Sequence, residues 1–314
     1  MRIIDAHCDV LSKLWRDPSK DLFYQANSTL DASYEQLQKA NILSQVFAVF
    51  ISPRVPPTER FRAALEQIDL FYEQVLGDQS KMQLVTNQGD FLGIGERQIG
   101  AVLALEGLDS IQGELMKLRV FYRLGVRFVG LTWNYANEVA DGILEGRNGG
   151  LTEFGRQVMQ EINRLHMMVD VSHVCEQGFW DVMQYSNIPV LASHSNARAI
   201  CPHPRNLTDE QIHALIERDG RIGITFYPPF LTQSEARLEH VLRQIEYICE
   251  LGGENNIVFG SDFDGIETKV VGLEKAGCYP TLLDYLANYY STEQIYKFSC
   301  QNMARFYQKN LDIS

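Results

Sequence analysis

Residues 100–106 read Gly100-Ala101-Val102-Leu103-Ala104-Leu105-Glu106, followed at once by Gly107. Six apolar or small residues in a row are too few for a membrane span and suit a strand covered on both faces. Strands of that kind belong to parallel sheets, whose crossover helices cover both sides. The run ends in a carboxylate, and no Lys or Arg lies within five positions to neutralise it.

Seven further stretches share this character: residues 2–7, 43–51, 127–133, 167–173, 189–194, 221–227 and 256–262, all rich in Val, Ile and Phe. Between them lie amphipathic segments with helical spacing, at 58–76, 152–165 and 234–251. Thr208-Asp209-Glu210-Gln211 and Ser291-Thr292-Glu293-Gln294 are capping-box signatures that open helices running to about residues 217 and 307. Gly252-Gly253 marks a helix end. Eight strands alternating with helices predict a (β/α)8 barrel of the TIM type, formed as one domain over residues 1–314. Length alone leaves two ordinary domains open. An open doubly wound sheet is the competing architecture, but no GxGxxG or GxxxxGK[ST] loop is present.

Composition narrows the partners. Lys and Arg total 28 against 40 Asp and Glu, a net charge of −12, and no basic cluster interrupts that balance. Nucleic acid and anionic lipid are therefore excluded as expected partners. No stretch of about 18 apolar residues exists, so no membrane span is expected. Asp5 breaks the N-terminal apolar run too early for a signal peptide, which predicts a cytoplasmic protein. The six cysteines are dispersed without a CxxC and read as free thiols.

Barrel enzymes carry their chemistry at the C-terminal ends of the strands. Here those ends hold His7-Cys8-Asp9, Glu106, Asp170-Val171-Ser172-His173, Ser193-His194-Ser195 and Ser261-Asp262-Phe263-Asp264. Only seven histidines exist in the chain, and three of them fall at these positions. In extended backbone, residues two apart share a side, so His7 and Asp9 can chelate one ion while Cys8 points into the core. Glu106 can bridge two cations, and His173 and His194 can complete a second site. Neutral imidazoles with carboxylates suit Zn²⁺, with Mn²⁺, Fe²⁺ and Co²⁺ as alternatives. Two ions roughly 3.5–4 Å apart hold a hydroxide and polarise a substrate carbonyl. Asp262 follows an apolar strand and is assigned a proton shuttle, with a ligand or orienting role as the alternative. Asp264 reads as a helix cap. Arg205, in the loop after the sixth strand, is either a solvated charge or a fork for a substrate carboxylate. His203, His213 and His240 read as loop or helix-surface residues, and His166 as a helix terminus.

The motifs around His7, Glu106, His173, His194 and Asp262, with Gly150-Leu151-Thr152-Glu153-Phe154-Gly155-Arg156, resemble those of the membrane dipeptidase family, also called renal dipeptidase or peptidase family M19. The resemblance runs from about residue 3 to 306. It implies a (β/α)8 hydrolase with two zinc ions, one on His7, Asp9 and Glu106, the other on Glu106, His173 and His194. It also implies an acid/base role for Asp262, a substrate-carboxylate contact for Arg205, and a homodimer. The implied substrates are dipeptides, including those with a C-terminal D-residue; some relatives also open carbapenem-type lactams. Mammalian members have a substrate-binding histidine after strand four, where this chain has Trp133; Asn134 or Tyr135 is then expected to contact substrate instead. Those members are secreted and lipid-anchored, which this chain is not expected to be. Another amide or lactam hydrolase on the same barrel is the nearest alternative, and a non-catalytic metal-binding protein the more distant one.

Overall fold

A computed structural model describes residues 1–17 and 22–311. Nine parallel strands form the sheet: β1 (Ile3–Cys8), β2 (Ile42–Phe50), β3 (Met82–Leu84), β4 (Ile99–Glu106), β5 (Val126–Gly130), β6 (Met168–Asp170), β7 (Leu191–Ala192), β8 (Arg221–Ile224) and β9 (Ile257–Phe259). All but β3 close on one another: β1 pairs with both β2 and β9, and β2 pairs with β4. Each of these eight overlaps an expected stretch, and the barrel is the predicted TIM type. β3 is the unexpected strand. It lies along the first residues of β4, Ile99–Ala101, while β5 takes the same edge of β4 from Leu103 onward.

Two cores follow from the strand period of two. Along β4, Ala101, Leu103 and Leu105 join the layer between sheet and helices, and Val102 and Ala104 face the barrel axis. Glu106 continues the inward set, which delivers its carboxylate to the barrel mouth. The inner core is sealed at the opposite end by Met303, Phe306, Tyr307 and Leu311. The buried Arg221 guanidinium lies over the Phe306 ring there and donates to Asn302 O at 2.8 Å. The mouth is therefore the open end.

Local signals behave as their chemistry requires. Thr152, Thr208 and Ser291 each accept a backbone N–H at a helix start, and the last two complete capping boxes with Gln211 and Gln294. Gly252 adopts a φ of +92° just past the helix Leu238–Glu250, a conformation that favours glycine. His166 ends its helix in the left-handed region. The helix expected over 234–251 starts later, at Leu238. Its first turn is closed by His240, whose Nδ1 accepts the Arg237 N–H at 3.1 Å. His240 is therefore buried rather than on the helix surface. All six cysteines are free. Among the described residues, no helix is long and apolar enough to cross a membrane.

Candidate metal and substrate site

The strand ends converge on a cavity of about 540 Å³ at the barrel mouth. A register shift in β1 between Asp5 and Cys8 re-aims the chain there. Cys8 consequently packs in the outer core while His7 and Asp9 turn to the site. The ends of β1 and β9 are tied together: Asp9 N donates to Phe263 O at 2.8 Å and Asp262 N to His7 O at 3.2 Å. Asp5, wholly buried, accepts from Ser261 N, Ser261 Oγ and His7 N, locking the same junction.

One half of the site groups His7, Asp9 and Asp262. His7 Nε2 lies 3.4 Å from Asp9 Oδ2, 3.8 Å from Glu106 Oε2 and 3.9 Å from Asp262 Oδ1, and has no hydrogen-bond partner. The other half groups Glu106, His173 and His194. Glu106 Oε1 is 2.9 Å from His173 Nε2 and 3.8 Å from His194 Nε2, and the two Nε2 atoms are 2.8 Å apart. Glu106 thus turns one oxygen to each half. Asp170 also lies within ligand range of His7 and His194.

The electrostatics of this cluster ask for a cation. Burial, then the Asp9 charge, push the Glu106 carboxyl well above its ordinary range. The same two causes raise Asp262 to about 7. Burial opposes charge on His7, yet the close Asp9 carboxylate and the charges of Glu106 and Asp262 outweigh it and hold the ring at about 10. Burial, reinforced by nearby positive charge, pushes His173 and His194 well below the usual imidazole value, so both are neutral. His173 Nδ1 meets Asn134 Oδ1 at 2.8 Å, so its proton sits on Nδ1 and its Nε2 is a bare lone pair. Two neutral imidazole Nε2 atoms and a carboxylate oxygen facing one another, with an orphaned His7 Nε2 alongside, are a donor set that fits divalent metal.

Arg205 forms part of the cavity wall. Its guanidinium is buried and donates to Ser195 Oγ at 3.2 Å and His194 O at 3.3 Å, while Nε has no partner. Burial lowers its pKa to about 10, so it stays charged at neutral pH. The loop charge of the plain sequence reading is thus an interior cation. Trp133 lines the cavity, with its ring 5.3 Å from Phe50 and 6.1 Å from His173. Asn134 also lines it, with its side-chain oxygen engaged by His173. Tyr135 is 51% exposed and lies outside the lining. His203, read as a plain loop residue, is in the wall, with its ring 4.4 Å from Phe230. Among the described residues, Asp264 caps no helix. It accepts the N–H groups of Asp31 and Ala32 at 2.9 and 3.0 Å and ties that loop to the mouth.

Comparison with known proteins places the chain in a family. The model of the membrane dipeptidase family, peptidase family M19, matches residues 1–313. The chain is 33% identical over 283 residues to dipeptidase aclJ of Aspergillus oryzae, covering 84% of this chain and 67% of that one. It is 35% identical over 213 residues to an uncharacterized Klebsiella pneumoniae protein of the pqqA 5′ region, covering 64% of this chain and 79% of that one. The fold superposes with a TM-score of 0.91, at 26% identity and 99% coverage of both chains, on a Rhodobacter sphaeroides metallo peptidase liganded with a phosphinate mimic of L-Ala-D-Ala. With the family match spanning the barrel from end to end, the chain belongs to the membrane dipeptidase family and is a hydrolase of the metallodipeptidase type.

Proposed function

We propose that this protein is a zinc-dependent dipeptidase acting on dipeptides that include those with a C-terminal D-residue. The observation that carries the reading is the meeting of the neutral His173 and His194 rings, Nε2 to Nε2, with Glu106, in a cavity whose wall holds a buried, incompletely bonded guanidinium. His7 and Asp9 would hold one cation and His173 and His194 another, with Glu106 offering an oxygen to each. Cations bound there would supply Lewis acidity and an activated water. The L-Ala-D-Ala mimic bound by the Rhodobacter neighbour supports the stereochemical part of the reading.

The chain's own groups do the rest. Arg205 receives the free carboxylate of the substrate, which orients the scissile bond and excludes peptides extended at that end. Asp262 takes a proton from the attacking water and hands it to the leaving amine. Trp133, held against Phe50, offers the substrate one indole donor where an imidazole would offer two roles.

The test uses purified protein, a panel of L-L and L-D dipeptides with N-acyl amino acids, and elemental analysis before and after chelation. The expected result is dipeptide turnover that disappears with the metal and returns with Zn²⁺. Undiminished turnover by protein shown to be metal-free overturns the reading. Turnover of N-acyl amino acids with none of dipeptides replaces it with a different amide hydrolase.

A further inference from the structure

We infer that Asp170 and Ser193 are positioning residues that fix the ring tautomer of His194 and so present its Nε2 lone pair to the metal site. The inference rests on His194 being a ligand, as proposed above.

Three buried side chains lie end to end. Ser193 Oγ donates to Asp170 Oδ2 and lies 2.7 Å from His194 Nδ1. A carboxylate only accepts, and a serine hydroxyl has a single proton. That proton faces Asp170, so the hydroxyl oxygen accepts from His194 Nδ1–H and leaves Nε2 bare. The other Asp170 oxygen accepts the N–H groups of Ser172 and Ser193, both at 2.9 Å, so the carboxylate cannot turn away. The polarity of the chain is therefore fixed: imidazole to hydroxyl to carboxylate.

The need for this is set by the 2.8 Å between the two Nε2 atoms. If either carried a proton, the pair would close into an N–H···N hydrogen bond and shut out a cation. Asn134 prevents that for His173 through one bond, and Ser193 with Asp170 prevents it for His194 through two. Outer partners of this kind are worth about 10–100-fold in metal affinity.

Four variants test the inference: Ser193→Ala, Ser193→Thr, Asp170→Asn and the Ser193→Ala/Asp170→Asn double variant. Metal-stripped protein is titrated with Zn²⁺ against a chromophoric chelator, and the ring nitrogen shifts of His194 are read by NMR. Ser193→Ala should bind Zn²⁺ about 10–100-fold more weakly and lose the Nδ1–H signature. Ser193→Thr keeps the hydroxyl and should restore both. Asp170→Asn reverses the chain, because its amide donates to Ser193 and the serine proton then turns to His194 Nδ1. It should therefore lose more affinity than Ser193→Ala, and the double variant should return to the Ser193→Ala level. Wild-type affinity and tautomer in Ser193→Ala overturn the inference. Loss of one metal in Asp170→Asn with Ser193→Ala unaffected also overturns it and makes Asp170 a ligand. His194→Ala with unchanged metal content overturns the ligand reading beneath it instead.

Discussion

Replacing Arg205 by Met isolates what the buried guanidinium does. Methionine keeps an unbranched apolar stem but removes the charged guanidinium and its unpartnered Nε. If the guanidinium holds the substrate carboxylate, the variant leaves that carboxylate desolvated and unpaired, at a cost of about 2–5 kcal/mol. At about 1.4 kcal/mol per decade, kcat/KM for a free dipeptide falls roughly 30- to 4,000-fold. A dipeptide C-terminal amide has no carboxylate to lose and should fall little, so the ratio of acid to amide collapses. The fold should tolerate the change. Burial lowers the Arg205 pKa from 12.5 to about 10, so the folded state is penalised while this group is charged. At 1.36 kcal/mol per unit, that penalty is about 3 kcal/mol at neutral pH. Losing the bonds to Ser195 Oγ and His194 O offsets it by about 1.5–3 kcal/mol each. The unfolding midpoint should therefore stay within a few degrees of wild type. The assay is amine release from matched acid and amide substrates, with thermal unfolding beside it. Equal losses on acid and amide would refute the carboxylate contact, and a collapsed midpoint would mean that Arg205 holds the structure rather than the substrate.

Gly265→Ala places a Cβ 2.2 Å from Asp9 Oδ2 and 2.6 Å from Asp262 Oδ1, so both carboxylates must move. Metal content should drop by elemental analysis, and full occupancy would contradict the placement of Asp9. Asp262→Asn should leave the metal content unchanged and cut turnover about 10²–10⁴-fold; a lost ion would make Asp262 a ligand. Away from the site, burial raises the Cys300 thiol from 9.0 to about 11. The unfolded chain loses that proton first as pH rises, so the stability it contributes is full below about 9 and lost toward 11. The difference is about 2–3 kcal/mol. Urea unfolding at pH 8 and pH 11 should show a smaller alkaline loss in Cys300→Ala than in wild type, and equal losses would rule the thiol out.

What was legible in the sequence was whatever depends on a residue and its near neighbours. The eight barrel strands are buried on both faces, so their apolar runs stand out, and Glu106 stands out because it ends such a run. The same holds for the Thr208 and Ser291 capping boxes, whose partners lie three residues away. β3 was not legible: it is three residues long, two of them half-buried, and it owes its pairing to a free stretch of the β4 edge. Asp264 looked like a cap because its partners, Asp31 and Ala32, lie more than 230 residues away. His203 and His240 differ from surface histidines only in what the fold packs over them.

Glycine at the barrel mouth makes the same point in physical terms. A Cβ on Gly223 would lie 1.8 Å from Ser193 O, and one on Gly260 would lie 1.7 Å from it. Two strands therefore give up side chains so that the Ser193 carbonyl can fit between them. That fit sets where Ser193 Oγ stands relative to Asp170 and His194. The glycines are visible in the sequence, but the backbone that approaches them is not. Nor is the positive φ of His173 and Asp262, 70° and 64°, which costs about 1–3 kcal/mol at each position and must be held by the surrounding bonds. Residue types at strand ends announce that chemistry is present; the close approaches and the strained backbone decide which lone pair points where. The site was therefore readable as an inventory before it was readable as a geometry: Asp170, Ser193 and Asn134 stood in that inventory, Asn134 as a substrate contact, and what escaped was the aiming role proposed for them here.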